Sequence, residues 1–583
     1  MDRGINQNSR ALPAVAMLAL ALAAGCSTIK VRETQLSDRA YTAPSPASDP
    51  EAMISTGMLL QSRQPVLAMT HYRQAALSAF PSLRAENVST EVDSSRTPEA
   101  QHAYRRAIEY LIVTADQIAK NEQIPWTEAL GRAGIAVQGK ISDFDPVSWN
   151  EALPTRGFEV EGFLHNIARG GLGAPLVLKR SPPETTGQSN HYFPSVHFKS
   201  ATALLRPAKS PDGPLAVLEL HDPVLEPDML WSPAPGHATL PLAYDMTVPL
   251  ARQLTVRHYS VDAILGVLNP TAFEKRVGLY MLDSYQPGKI PVVFVHGLAS
   301  SPQAWAQAMN ELRGDPELRK KFQFWSFYYT TGNPIAASAA KLRASLLEAK
   351  QKFDPESRDP AFNQMVMIGH SMGGILTRLN ITTSGDALWN LVAKVPPDQL
   401  DLDPDLKKNL VEATYFEPFP AIRRVIFVAT PHRGSPLGYE FAGRLASSLI
   451  RLPQFTREMT KAIAESSTRG ELSPLITNRR QMTSVAQLAS DNPMLQAFNS
   501  LPINPEVTYH SIVGYNGKGT LETGGDGIVP YTSAHIEGAA SEIIVTSDHS
   551  SQSKEPSILE MKRILLLHLA EFENTPLQAS FSH

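Results

Sequence analysis

The sequence predicts an α/β protein, with a mostly parallel sheet flanked by helices from about residue 280 onward and a helical, then β-rich, region before it. Three observations lead there. Short and almost wholly apolar runs recur at 292–295, 324–328, 365–368, 425–429, 507–513 and 543–546, as strands buried on both faces require. Helix-length segments at 302–312 and 334–347 lie between the early runs, and strands alternating with helices of that length form βαβ units. The length permits it too: 583 residues, 43% hydrophobic and 19% charged, can bury a large core.

In chain order, residues 1–25 read as an export signal. Arg3 and Arg10 precede a small and apolar run, 11–25, that is shorter than the roughly 20 residues of a membrane-spanning helix. The run ends at Cys26, the single cysteine, so an intrachain disulfide and a site of several thiolates are both excluded. Leu22, Ala23, Ala24, Gly25 and Cys26 resemble a bacterial lipoprotein box, with the leucine displaced by one place. That resemblance implies lipidation of Cys26 and a cell-envelope location. Ser27, where an Asp would favour inner-membrane retention, points to the outer membrane in a Gram-negative source. Losing residues 1–25 removes two arginines and one aspartate and takes the net charge from −4 to −5, so no positive field favours nucleic acid.

Residues 26–52 are polar, with Pro44, Pro46 and Pro50, and read as a lipidated tether. Residues 53–156 read as a helical region, in which Tyr104, Ile108, Leu111, Ala115 and Ile118 fall at helical spacing. The similar pieces beginning at His71 and His102 hint at a tetratricopeptide-like repeat. A solenoid needs about three copies, so an ordinary helical bundle is expected. Residues 157–279 read as a β-rich accessory region, with strand-like runs at 158–164, 215–220 and 240–248 and no motif that carries chemistry. Farther on, Ser301 and Asn333 each precede a proline at a first helical position and are expected to cap their helices. Ile335, Ala339, Leu342 and Leu346 then make one apolar stripe.

The chemistry starts with Gly369-His370-Ser371-Met372-Gly373-Gly374, set between an apolar strand and a helix. That context makes Gly-x-Ser-x-Gly a nucleophile elbow: a sharp turn exposes Ser371, and Gly369 and Gly373 keep the crowded turn free of side chains. A serine nucleophile needs a base to take its proton and an acid to orient the base. Asp526, in Gly524-Gly525-Asp526-Gly527, supplies the acid on a tight loop after one strand, and His549, after the last strand, supplies the base. Glu522 is the alternative acid and His535 the alternative base. Asp548 is poorly placed beside His549, because adjacent side chains on an extended segment diverge. His568 sits in an apolar helical stretch and reads as structural; His432 follows a strand and either lines the cleft or is structural. The tetrahedral intermediate needs two backbone donors, for which the N–H groups of Met372 and of Leu298, in His296-Gly297-Leu298, are best placed.

Together, PVVFVHGL at 291–298, GHSMGG at 369–374, ATPHRGS at 429–435, DGIVP at 526–530 and DHS at 548–550 resemble the α/β-hydrolase family of lipases and esterases. The branch that includes bacterial lipases and GPI inositol-deacylase-like proteins is the one they resemble. The resemblance covers residues 280–583 and implies ester hydrolysis by Ser371, His549 and Asp526 through an acyl-enzyme. Insertions near 380–424 and 435–505 are expected to cap the site, and Phe441, Leu445, Leu449 and Leu452 offer an apolar stripe for an acyl chain or for packing on the sheet. No motif for phosphate, flavin, nicotinamide or zinc appears, so no cofactor or metal is expected. An ester or lipid substrate and a membrane reached through Cys26 are the expected partners. Acyl transfer by the same residues, or an inert envelope scaffold, are the competing readings.

Overall fold

The computed structural model describes residues 29–34, 36, 49–83, 99–141, 149–181, 192–193, 196–208, 213–224, 230–231, 240–255, 276–436, 471–477 and 483–574. The export signal, Cys26, most of the tether and the stripe at Phe441, Leu445, Leu449 and Leu452 lie outside them. Among the described residues no helix is long and apolar enough to cross a membrane. The chain divides into two compact units: Thr28–Arg257 with Arg313–Lys320, and His258–Leu312 with Lys321–His583.

The first unit opens with strand β1 (Lys30–Glu33) and helices α1 (Pro50–Leu60), α2 (Pro65–Ala79), α3 (Glu99–Glu122) and α4 (Trp126–Gly131). Strands β2 (Ile135–Lys140), β3 (Glu151–Pro154), β4 (Phe158–Glu161), β5 (Ala174–Arg180), β6 (His197–Pro207) and β7 (Ala216–His221) follow, then helix α5 (Thr247–Thr255). The sheet order is β2-β7-β6-β5-β3, antiparallel except for the β2–β7 pair. Tyr104, Ile108, Leu111, Ala115 and Ile118 of α3 are all buried as their spacing predicts, in one core with Leu176, Leu204 and Leu218 of the sheet. The Tyr104 hydroxyl donates to the Leu205 carbonyl and accepts from its N–H, both at 2.8 Å.

The boundaries therefore differ from those expected. The helical region ends at Gly131 rather than 156, and it shares a core with the β-rich segment, because alanine-rich helix faces bury their stripe against a sheet. Part of the expected tether is ordered: β1 pairs antiparallel with β4. Its mainly exposed burial pattern explains why no apolar periodicity marks it. The 240–248 run is not one strand, for Asp245 accepts a hydrogen bond from the Val248 N–H at 3.0 Å and helix α5 starts there. Strand β6 escaped the sequence reading because it mixes Lys199, Ser200 and Thr202 into a nearly fully buried run. Each polar group is satisfied inside: Lys199 by Asp222 at 2.7 Å, and the two hydroxyls by the Asp245 and Ala243 carbonyls at 2.6 Å.

The second unit holds β8 (Gly278–Met281), β9 (Ile290–Val295), a 3₁₀ turn (Pro302–Trp305), α6 (Ala306–Gly314), β10 (Phe322–Tyr328), α7 (Ile335–Phe353), β11 (Met365–His370) and α8 (Met372–Arg378). After these come α9 (Pro404–Thr414), β12 (Ile422–Val428), β13 (Thr508–Tyr515), α10 (Tyr531–Ala534), β14 (Ser541–Thr546) and α11 (Glu555–Asn574). Seven strands run in the order β8-β10-β9-β11-β12-β13-β14, with β8 antiparallel at one edge and the rest parallel. This is the α/β-hydrolase fold, with every residue of β9, β10 and β11 buried.

Ile335, Ala339, Leu342 and Leu346 are fully buried along α7. The expected caps are not used: Ser301 makes no side-chain cap bond, and Asn333 donates instead to Thr330 Oγ1 at 2.7 Å. The first amide of α7, at Ile335, donates to Gln487 Oε1 at 2.7 Å, so a residue 152 positions away does the capping. At the other end of the sheet, Arg424 of β12 is buried and organises two imidazoles. Its Nη1 donates to His510 Nε2 at 2.7 Å and its Nε to His568 Nδ1 at 3.2 Å. Each ring therefore donates from its other nitrogen, His510 to Ser541 Oγ and His568 to the Gln364 carbonyl, both at 2.7 Å. The Arg424 guanidinium also pairs with Glu571. The structural reading of His568 agrees with this geometry.

Candidate active site

The elbow forms where β11 meets α8. Ser371 has φ 54° and ψ −127°, a conformation costly for any residue with a side chain and one that the surrounding hydrogen bonds must hold. Its N–H donates to the Val428 carbonyl of β12 at 2.9 Å, and its carbonyl accepts from Gly374 at 2.9 Å. A Cβ at Gly373 would fall inside the van der Waals radii of the Val295 and His296 carbonyl oxygens, and one at Gly369 would lie 2.6 Å from Gly374 Cα. The glycines thus permit contact with β9 and between successive turns of the elbow. Gly373→Ala is expected to destabilise the fold by about 3 kcal/mol or more, since rigid backbone must move; urea titration would measure it, and an unchanged midpoint would show that β9 yields freely.

Strand ends bring the other two predicted groups to Ser371. His549 follows β14 and Asp526 follows β13. Ser371 Oγ lies 2.9 Å from His549 Nε2, and His549 Nδ1 lies 2.7 Å from Asp526 Oδ2. Asp526 Oδ1 accepts from the N–H groups of Ile528 and Val529 at 2.8 and 2.7 Å. Burial works to raise its pKa, but His549 and these two amides outweigh that effect and hold the carboxylate below its ordinary value. Asp526 therefore stays ionised, and the imidazole donates to it from Nδ1 and presents Nε2 as the acceptor for the serine hydroxyl.

Glu522 and His535 fall elsewhere, whereas Asp548 lines the Ser371 cavity. Glu522 is exposed. His535 lies 3.0 Å from both carboxylate oxygens of Glu542, and Asp548 accepts from the Ser550 N–H at 3.1 Å. His432 is buried edge-on against Phe427 and does not line the Ser371 cavity.

That cavity has a volume of about 190 Å³ and is lined by Leu298, Ser300, His370, Ile528 and Gln552 around the three central residues. Leu298 sits in a loop pinned by the segment that follows β10: the Tyr329 hydroxyl donates to the His296 carbonyl at 2.8 Å, and the Ala299 N–H donates to Thr331 Oγ1 at 3.1 Å. Gly297 passes so close that a Cβ there would be 2.9 Å from Ser371 Cβ. None of the lining residues comes from 380–424, whose helix α9 packs on α7. Among the described residues of 435–505, none lines the cavity either.

Sequence reasoning passed over His370, the residue between the first glycine and the serine. Its Nε2–H donates to the carbonyl of His549 at 2.8 Å, its ring lies 4.9 Å from that of His549, and Trp305 meets it edge-on. Burial, with His549 nearby, pushes its pKa down to about 3, so it is a neutral donor that holds the loop carrying His549. The signal was its place beside Ser371, but only the fold reveals the partner. Gly514 was also missed: a Cβ there would lie 2.9 Å from that of Asp526, so Asp526 needs a bare backbone behind it. Among the described residues no group of histidine, cysteine and carboxylates is placed to hold a metal.

No family model and no curated protein matches the chain. Among solved structures it is similar to a mature Bacillus licheniformis lipase, BlEst2, at 20% identity, over 48% of this chain and 93% of that one, with a TM-score of 0.28. The Staphylococcus hyicus lipase is 14% identical, over 50% of this chain and 99% of that one, with a TM-score of 0.30. EstA from Clostridium botulinum is 15% identical, over 49% and 88%, with a TM-score of 0.29.

Proposed function

We propose that the protein is a serine hydrolase that cleaves carboxylic esters through an acyl-enzyme. The observation that carries this reading is the pair of contacts at the strained elbow, 2.9 Å from Ser371 to His549 and 2.7 Å from His549 to Asp526. Ser371 Oγ attacks the ester carbonyl carbon as its proton passes to His549 Nε2. The resulting oxyanion is held by the N–H groups of Met372 and Leu298, each of which supplies about 3 to 4 kcal/mol of transition-state stabilisation in comparable sites. Collapse expels the alcohol, which takes the proton back from His549, and water repeats the sequence to release the acid and free Ser371. Asp526 stays ionised throughout and steadies the imidazolium.

Acyl or lipid esters as substrates, and attachment at the cell envelope through a lipidated Cys26, belong to the same proposal and rest on the residues that define the lipoprotein box and the hydrolase motifs. A fluorophosphonate probe is expected to label the wild-type chain at Ser371, and p-nitrophenyl esters of increasing chain length to be hydrolysed with a preference that reports the acyl group. A folded protein that takes up no probe would sink the hydrolase reading.

A further inference from the structure

A second cavity lies in the same unit. It has a volume of about 600 Å³ and shares no lining residue with the one at Ser371. Arg378, from the last turn of α8, and Arg433, from the loop after β12, both face it. Arg378 is only 7% exposed, its Nη2 donates to the Asn499 carbonyl at 2.7 Å, and its Nε is buried with no acceptor among the described residues. Arg433 donates from Nη1 to the carbonyls of Thr532 and His535 at 2.9 and 2.7 Å. These bonds fix both guanidinium planes and leave further N–H groups of each fork for a ligand.

Charge points the same way. Burial lowers Arg378 to about 10, with Tyr509 opposing the fall and Arg433 adding to it, and among the described residues no carboxylate offsets this cation. Among the described residues, exposed Glu537 is the one acidic residue of the lining, against two arginines. A buried cation without a counter-charge is costly, and a bound anion relieves it. Leu501, Ile503, Val507 and Ile536 add apolar side chains to the cavity's mainly polar lining. Its volume suits a small organic molecule rather than a bare ion.

We propose that this cavity binds a small organic acid, with its oxyanion head on the Arg378 and Arg433 forks and its apolar body against Leu501, Ile503 and Ile536. The site is separate from the ester chemistry and does not depend on it. Isothermal titration of the full chain with hexanoate, hexyl phosphate and hexanol tests it. At least one of the two acids is expected to bind saturably, the tighter one identifying a carboxylate or a phosphate head, while hexanol binds weakly or not at all. Arg433→Gln, at an exposed position, is expected to weaken that binding by about tenfold or more, as is Arg378→Gln where it folds. Absence of saturable binding by both acids, equal affinity in wild type and Arg433→Gln, or hexanol binding as tightly as the acids would each overturn the proposal.

Discussion

Ser371→Ala is expected to lower kcat for p-nitrophenyl ester hydrolysis by about a million-fold, the scale seen when a triad nucleophile is removed elsewhere. The thermal midpoint should stay within a few degrees of wild type. The elbow is held by backbone: the Ser371 N–H to Val428, its carbonyl to Gly374, and the close approach of Gly373 to β9. Alanine keeps all of these and loses only the hydroxyl that meets His549. Whatever rate remains would come from substrate binding and the two amide donors. Asp526→Asn should cost about 10⁴-fold, because an amide in place of the carboxylate leaves His549 in the wrong tautomer. Steady-state kinetics beside circular dichroism would separate chemical loss from unfolding, and substantial hydrolysis by a folded Ser371→Ala protein would remove this residue as the nucleophile.

Acid is expected to destabilise the protein from about pH 6.5 downward, starting before most of its carboxylates titrate. Burial is the leading cause that depresses His296, His510 and His568 to about 4 and His370 to about 3, and it holds His432 well below its ordinary value. In the unfolded chain each titrates near 6.5. The sign follows: between about 6.5 and 4 the unfolded chain binds protons that the native state refuses, so stability is full above 6.5 and falls as pH drops through 4. Each such histidine contributes a slope of about 1.4 kcal/mol per pH unit. Two of them acting fully would remove about 7 kcal/mol across that window, comparable to the whole stability of many domains. Urea midpoints at successive pH values would show the slope, and His510→Gln should flatten it. A midpoint constant from neutrality to pH 5 would mean that these imidazoles carry protons in the native state.

The half with the α/β-hydrolase fold was legible in the sequence because its signals are local. Strands buried on both faces read as apolar runs, and Gly369 and Gly373 stand on either side of the serine they serve. Asp526 and His549 could be chosen because each follows a strand at the end where the site forms, and the structure brings both to Ser371. What stayed hidden depends on partners far apart in the chain. Nothing near His370 announces the carbonyl of His549, and nothing near Ile335 announces Gln487. The N-terminal half was harder for a related reason: the polar residues of β6 are satisfied across the fold, and the edge ribbon β1 has no apolar pattern to declare it.

The Gln487 cap also says which parts of the chain can be shortened. The insertion between β12 and β13 ends in a segment that completes helix α7 and, through the Ser484 hydroxyl on the Thr331 carbonyl, grips the loop whose Thr331 side chain steadies Ala299 beside Leu298. Residues from Thr483 onward are therefore framework, not appendage, and so are Glu471–Ser473, whose backbone pairs with Val392–Lys394. A cut into 483–487 would loosen the loop that carries Leu298 without touching Ser371, Asp526 or His549.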